Sequence, residues 1–241
     1  MSFTPRVWRA IAACVVAAAG LPVHEVSAEP IDFPNYIGPF SSDNLPPQAV
    51  YAAVASVHRY GPVDEIQLRG STHAQFSNAI PPPPSVSGAF TQHSFDSIIE
   101  GDLFMNDVFA GHIIANGQTT VRVVFDQALG NERFFDTELL QLDISGGNLP
   151  FGVLIRESPT LASIGRTAIR DIGGGQFQIA SFFDVFTELS LDNGQSWITS
   201  NCPVTMQAVP EPGTILLLAS VIAAGSAKAC RRISSSTTCK S

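Results

Sequence analysis

Val108-Phe-Ala-Gly-His-Ile-Ile114, Asn116-Gly117 and Thr119-Thr-Val-Arg-Val-Val-Phe125 form the stretch that decides the reading of this chain. β-Branched and aromatic residues fill both flanking runs. Val121, Val123 and Phe125 alternate with Arg122 and Val124, which is the period of a strand. Asn116 and Gly117 both tolerate positive φ, so the spacing predicts a hairpin that turns there.

The same pattern continues toward the C-terminus. Over 138–144, Leu140, Leu142 and Ile144 alternate with Gln141 and Asp143. Ser145-Gly-Gly-Asn148 predicts a turn. A short apolar run at 151–155 precedes Arg156-Glu-Ser-Pro159. Asp171-Ile-Gly-Gly-Gly175 predicts another turn and 176–184 a further strand. Runs at 186–191 and 197–199 flank Asp192-Asn193-Gly194, a second hairpin. Residues 160–169 read as a short helix or a loop. Strands separated by Gly-rich turns, with no long 3.6-period segment, indicate an all-β antiparallel sandwich or barrel. A jelly-roll-like β-sandwich is the expected architecture, with most of the 16 phenylalanines in its core.

Toward the N-terminus, 29–50 is rich in Pro, Asn and Ser and reads as an irregular lead-in. Pro81-Pro-Pro-Pro84 is a stiff extended break. Residues 29–84 are thus a Pro-rich lead-in with the first strands, and 85–208 the core. Together, 29–208 are expected to form one domain, because so short a first portion is too small to fold alone.

The ends differ from the middle. The chain holds 21 acidic and 13 basic residues in 241. Glu25, Glu211, Arg6, Arg9, Lys228, Arg231, Arg232 and Lys240 lie in the end segments, so the middle carries 19 acidic against 7 basic residues, near −12, with no lysine. That balance argues against nucleic acid or an anionic membrane face as partner. Of the four cysteines only Cys202 belongs to the domain, which excludes a disulfide within it.

Arg6 and Arg9 precede an apolar run at 10–21 and the small residues Val26-Ser27-Ala28. These are the parts of a secretory signal peptide, 1–28, with signal peptidase cutting after Ala28. At the other end stand Val209-Pro210-Glu211-Pro212-Gly213, an apolar run at 214–227, and Lys228-Ala-Cys-Arg231-Arg232. Pro210 and Pro212 hold the backbone extended. The apolar run is suited to a short transmembrane helix, with 213–229 as the membrane segment. The basic cluster stays cytoplasmic, which faces the domain outward. Residues 233–241 form a cytoplasmic tail.

Pro210-Glu211-Pro212, the apolar segment and Arg231-Arg232 resemble the PEP-CTERM sorting signal of Gram-negative bacteria, here 209–232. The resemblance implies recognition by an exosortase, with cleavage near Pro-Glu-Pro. This sequence departs from the pattern in a 14-residue apolar run, short for a span, and in nine residues after Arg232. Residues 85–200, through Phe135-Asp-Thr-Glu-Leu-Leu, Gly-Val-Leu-Ile-Arg156-Glu-Ser-Pro and Ser181-Phe-Phe-Asp-Val-Phe-Thr-Glu-Leu-Ser-Leu-Asp, resemble exported planctomycete-type PEP-CTERM proteins. That resemblance implies a location and no chemistry.

Ser190, Asp192, Gly194 and Trp197 fit an Asp-box, the turn that recurs in sialidase-like propellers. It occurs once and no propeller repeat accompanies it, so its reading is structural. His58, His73, His93 and His112 form no metal-spaced pair, and no HExxH, nucleophile elbow or P-loop appears. Asp96, Glu100, Asp102 and Asp107 offer oxygen ligands for calcium but miss the EF-hand spacing, and a solvated loop is expected. No catalytic residue, metal or cofactor is assigned. The expected function is a non-enzymatic cell-surface or matrix protein, membrane-anchored facing the periplasm or released, and associated with exopolysaccharide. The alternatives are a carbohydrate-binding module using Tyr51, Tyr60 and Trp197, and a glycosidase with two distant carboxylates.

Overall fold

In the computed structural model, residues 35–54, 57–61 and 65–210 are described, and among them the runs of β-branched and aromatic residues become strands and no helix forms. The strands are β1 (Ile37–Phe40), β2 (Val50–Ala53), β3 (His58–Tyr60), β4 (Ile66–Ala74), β5 (Phe90–Met105), β6 (Val108–Leu129) and β7 (Glu132–Ser145). There follow β8 (Leu154–Glu157), β9 (Ser163–Gly173), β10 (Gln176–Val185), β11 (Thr187–Ser190), β12 (Ile198–Thr199) and β13 (Val204–Val209). Every pairing between them is antiparallel.

The ladder runs β2–β4–β5–β6–β7, passes to β9, β10 and β13, and returns from β13 to β2. The sheet closes on itself as an eight-stranded barrel, and the expected two-layer sandwich does not form. Closure leaves no free edge around the ring, so the ladder hydrogen bonds of Val50–Ala53 are taken by Met206–Val209. Four of the eight staves are broken in two. β3 continues the β2 stave beside β4, β8 and β9 both pair with β7, β11 continues β10, and β12 precedes β13. Tyr60 bridges Ser200 just after β12, which joins the lower half of the ring as well. β5, β6 and β7 run through both halves. Neighbours around the ring are neighbours in sequence, an up-and-down barrel.

Inward positions are mostly apolar, and many outward ones are polar or charged. Along β6, Ile113, Ala115, Val121, Val123 and Phe125 are buried while Gln118, Arg122 and Asp126 are exposed. On β7, Phe135 has no exposed surface and meets Phe125 edge-on with ring centroids 5.9 Å apart, while Asp136 and Asp143 face water. This polarity is the reverse of a barrel that spans lipid.

Two local expectations are corrected. Asn116-Gly117 is not a turn: both residues lie inside β6, where Asn116 pairs with Ile98 and Gly117 with Ser97. The β5–β6 turn falls at Asn106-Asp107, with φ of 48° and 62°. Gly117 is glycine because a Cβ there would stand 2.2 Å from Ile99 Cδ1 and 3.0 Å from Ser97 Oγ. Residues 160–169 are neither helix nor an all-loop segment, because β9 starts at Ser163 and sends Thr167 and Ile169 inward. The expected strands at 138–144 and 176–184 lie in β7 and β10, and the 145–148 and 171–175 turns fall where expected. The lead-in contributes β1 against β10, and 81–84 is unpaired extended chain with Pro83 fully buried.

Ala28, Glu211, Pro212, Arg231, Arg232 and the membrane segment 213–229 lie outside the described residues. β13 ends at Val209, so Pro210 directly follows the last barrel strand.

Candidate functional site

The inward side chains do not fill the barrel. They leave a cavity of about 90 Å³ lined by residues from both halves of the ring. A cavity needs roughly 10–15 Å³ to admit one water, so this space has room for several waters or one small organic molecule. Its wall is Leu68, Ile99, Val121, Val123, Leu139, Leu142, Ile144 and Met206, interrupted by hydroxyls and three imidazoles. Among the described residues that line it, none is a carboxylate, lysine, arginine or cysteine.

Across the upper mouth runs a strap carrying Leu45 and Pro46. Leu45 N–H donates to Ile80 O (2.9 Å) and Ile80 N–H to Leu45 O (3.0 Å). His93, 1% exposed, ties the strap to β5: Nδ1 donates to Leu45 O at 3.1 Å, so Nε2 accepts from Thr91 Oγ1 at 2.7 Å. Burial holds its pKa below the usual histidine value, against the pull of the Leu45 carbonyl. Midway, Ser97 Oγ donates to Gly117 O at 3.0 Å, which uses its only proton. The short contact between His73 Nε2 and Ser97 Oγ is therefore a bond donated by the ring. At the lower end, Tyr60 OH and His58 Nδ1 share Thr187 Oγ1 at 2.6 and 3.1 Å. Burial lowers both His58 and His73 to about 4 and raises Tyr51 to about 12, so all three are neutral near pH 7.

Two groups break this pattern of satisfied polar atoms. Thr119 Oγ1 and Thr137 Oγ1 have no hydrogen-bond partner among the described residues, although both residues line the cavity and are 1% and 5% exposed. A buried hydroxyl left unpaired costs about 1–3 kcal/mol. The neighbouring Thr167 contrasts with them, pairing with Ser181 Oγ at 2.8 Å.

One break in the wall beside the cavity lies between β8 and β9. β7 pairs with β9 up to Leu139 and with β8 from Asp143, which leaves Leu140, Gln141 and Leu142 outside both ladders. An outer cleft lies against this gap, lined by 138–143 and 157–162, and Leu139 and Leu142 border both cleft and cavity. Glu157 in the cleft is raised to about 7 by burial, reinforced by the charges of Glu138 and Glu188 and opposed by Ser163 and Arg156. Glu188 is committed to Arg156, whose Nε and Nη2 donate at 3.0 and 2.7 Å.

The residues singled out from sequence separate in space. Tyr51 and Tyr60 face the interior at 6% and 1% exposure, so two of the three aromatics named for carbohydrate stacking are not on the surface. Trp197 lies under the Arg156 guanidinium, 3.9 Å from ring centroid to Cζ. The Asp192 carboxylate braces its own turn, accepting from Ser190 Oγ, Ser196 N and Ser196 Oγ at 2.8, 2.8 and 2.5 Å, while Gly194 N–H donates to Ser190 Oγ. Bonds from Ser196 hold Asp192 down to about 2. Asp102 and Glu100 flank His112 at 2.8 and 4.0 Å, and Asp107 accepts from Arg69 and Gln67. No group of three metal-ligating side chains occurs among the described residues. Cys202 is exposed and free. The signal that the sequence did carry for the cavity was alternation itself: Thr119 and Thr137 occupy inward positions of apolar strands. No family model, curated protein or solved structure matches the chain.

Proposed function

We propose that this chain is an exported, non-enzymatic protein of the cell surface or matrix whose barrel holds a small, largely apolar molecule. The observation that carries the binding half is the largely apolar cavity inside the ring of eight staves. An eight-stranded barrel is just wide enough to enclose one small ligand, and an apolar compartment with few placed polar groups is the usual form of a small-molecule site. Neutral imidazoles and hydroxyls, with no charged side chain on the lining, suit an uncharged guest. Export rests on the sequence of the two ends: the signal peptide cut after Ala28, and Val209-Pro210-Glu211-Pro212 with Arg231-Arg232 as an exosortase substrate. Because β13 ends at Val209, cleavage at Pro-Glu-Pro would release the barrel with every stave retained.

Native mass spectrometry of the protein recovered from its host tests both halves. The expected species starts near Glu29, ends near Val209-Pro210, and carries the added mass of one small organic molecule. A membrane species that retains Arg231-Arg232 contradicts the sorting half. A bare mass, together with failure to take up small hydrocarbons, contradicts the binding half.

A further inference from the structure

Most of the cavity wall is apolar, and among its fully buried side-chain polar atoms two hydroxyls have no hydrogen-bond partner among the described residues. Thr119 and Thr137 are inward on adjacent strands, and their hydroxyls point to no protein partner. They are also not together. Thr119 pairs with Leu142, whereas Thr137 pairs with Val123, four residues further along β6. That offset is about 13 Å along the strand, so a single ligand atom does not reach both hydroxyls. Two hydrogen bonds of about 2.8 Å cover part of the distance, and an aliphatic chain of roughly six carbons covers the rest.

We infer that the ligand is an uncharged aliphatic molecule with an oxygen function toward each end, separated by a chain of roughly six carbons, one oxygen paired with Thr119 and the other with Thr137. The inference rests on the reading of the barrel as a binding compartment and adds the chemistry of what is bound. Charge is excluded by the lining, which offers no counter-ion. Oxygen functions are required because each orphan hydroxyl is an unmet donor, and a hydrocarbon would leave both unmet. A dione, a diol or a hydroxy-ketone of medium chain length meets the description.

The test uses the full chain and three probes: octane, 2-octanone and 2,7-octanedione. Each is measured by headspace partition against wild type and against the Thr119→Val, Thr137→Val and double variants. Each probe is judged by its ratio between variant and wild type, so its own partition from water and any uptake by the apolar tail cancel. The expected result is that either single variant weakens the dione about fivefold, the worth of one neutral hydrogen bond. The double variant weakens it about 25-fold, while octane is bound no less tightly by any variant. The monoketone has a partner left in either single variant and weakens clearly only in the double. Thr119→Ser and Thr137→Ser keep the hydroxyl and restore the dione, which separates a lost bond from a damaged fold. If dione and octane respond alike to the substitutions, the assignment of the two hydroxyls is overturned while the barrel remains a binding site. If no probe is taken up by wild type, the compartment reading itself falls.

Discussion

Replacing two of the three cavity-lining histidines, His58→Gln and His73→Gln, is expected to remove a large part of the acid sensitivity of the barrel. Burial holds each ring near a pKa of about 4, against 6.5 when unfolded. A depressed histidine means that the unfolded chain binds the proton more readily. Stability contributed by the neutral ring is therefore complete above pH 6.5 and is lost as pH falls from 6.5 toward 4. Between about pH 7.5 and pH 4.5, each ring loses about 2.5 kcal/mol, and the pair about 5 kcal/mol. That is of the order of the whole stability of a small domain. Glu157, raised to about 7, acts with the opposite sign: the folded state keeps a proton that the unfolded state gives up, so its contribution weakens as pH rises from 4.5 to 7. It is common to both proteins, so the difference between them isolates the histidines. The assay is urea unfolding of wild type and double variant at the two pH values. Wild type should lose about 5 kcal/mol more than the variant over that range. Equal losses, within about 0.5 kcal/mol, would refute the burial of neutral imidazoles inside the barrel.

Phe135→Ala removes a ring with no exposed surface from its edge contact with Phe125 and should cost about 3–5 kcal/mol in denaturant unfolding. Gly117→Ala should cost about 1–3 kcal/mol by overpacking; adding Ile99→Val removes the Cδ1 that stands in the way and should restore part of the loss, a coupling that a β-turn at 116–117 would not show. Asp192→Asn should speed hydrogen exchange at the Ser196 amide, which the carboxylate now accepts, and leave exchange in β5 and β6 unchanged.

Much of the local structure was legible from residues 108–199 because strand alternation and Gly-rich turns are short-range properties. The all-β class, the 145–148 and 171–175 turns and the Asp192 hairpin all lie within that range. Closure of the barrel was not legible. It depends on Val50–Ala53 meeting Met206–Val209, a pairing between opposite ends of the domain that no local pattern encodes. Gly117 misled for a related reason: a glycine needed to admit Ile99 from the next strand looks, in sequence, like a glycine needed for positive φ. Thr160 to Ala162 read ambiguously because they occupy the break between β8 and β9, where one stave is made of two strands. The cavity was hidden behind the same closure. Tyr51 and Tyr60 looked like surface platforms until the ring placed them inside.

Where a small molecule sits when it binds is the most direct test of the central claim. Methyl-labelled protein titrated with 2-octanone, followed by NMR, reports this residue by residue. Saturable shifts are expected at Val121, Val123, Leu139 and Ile144, which line the cavity, and none at the exposed Val108, Leu129 or Ile172. Shifts confined to those outer methyls, or an interior that stays unchanged to the solubility limit, would contradict a barrel that works as a container.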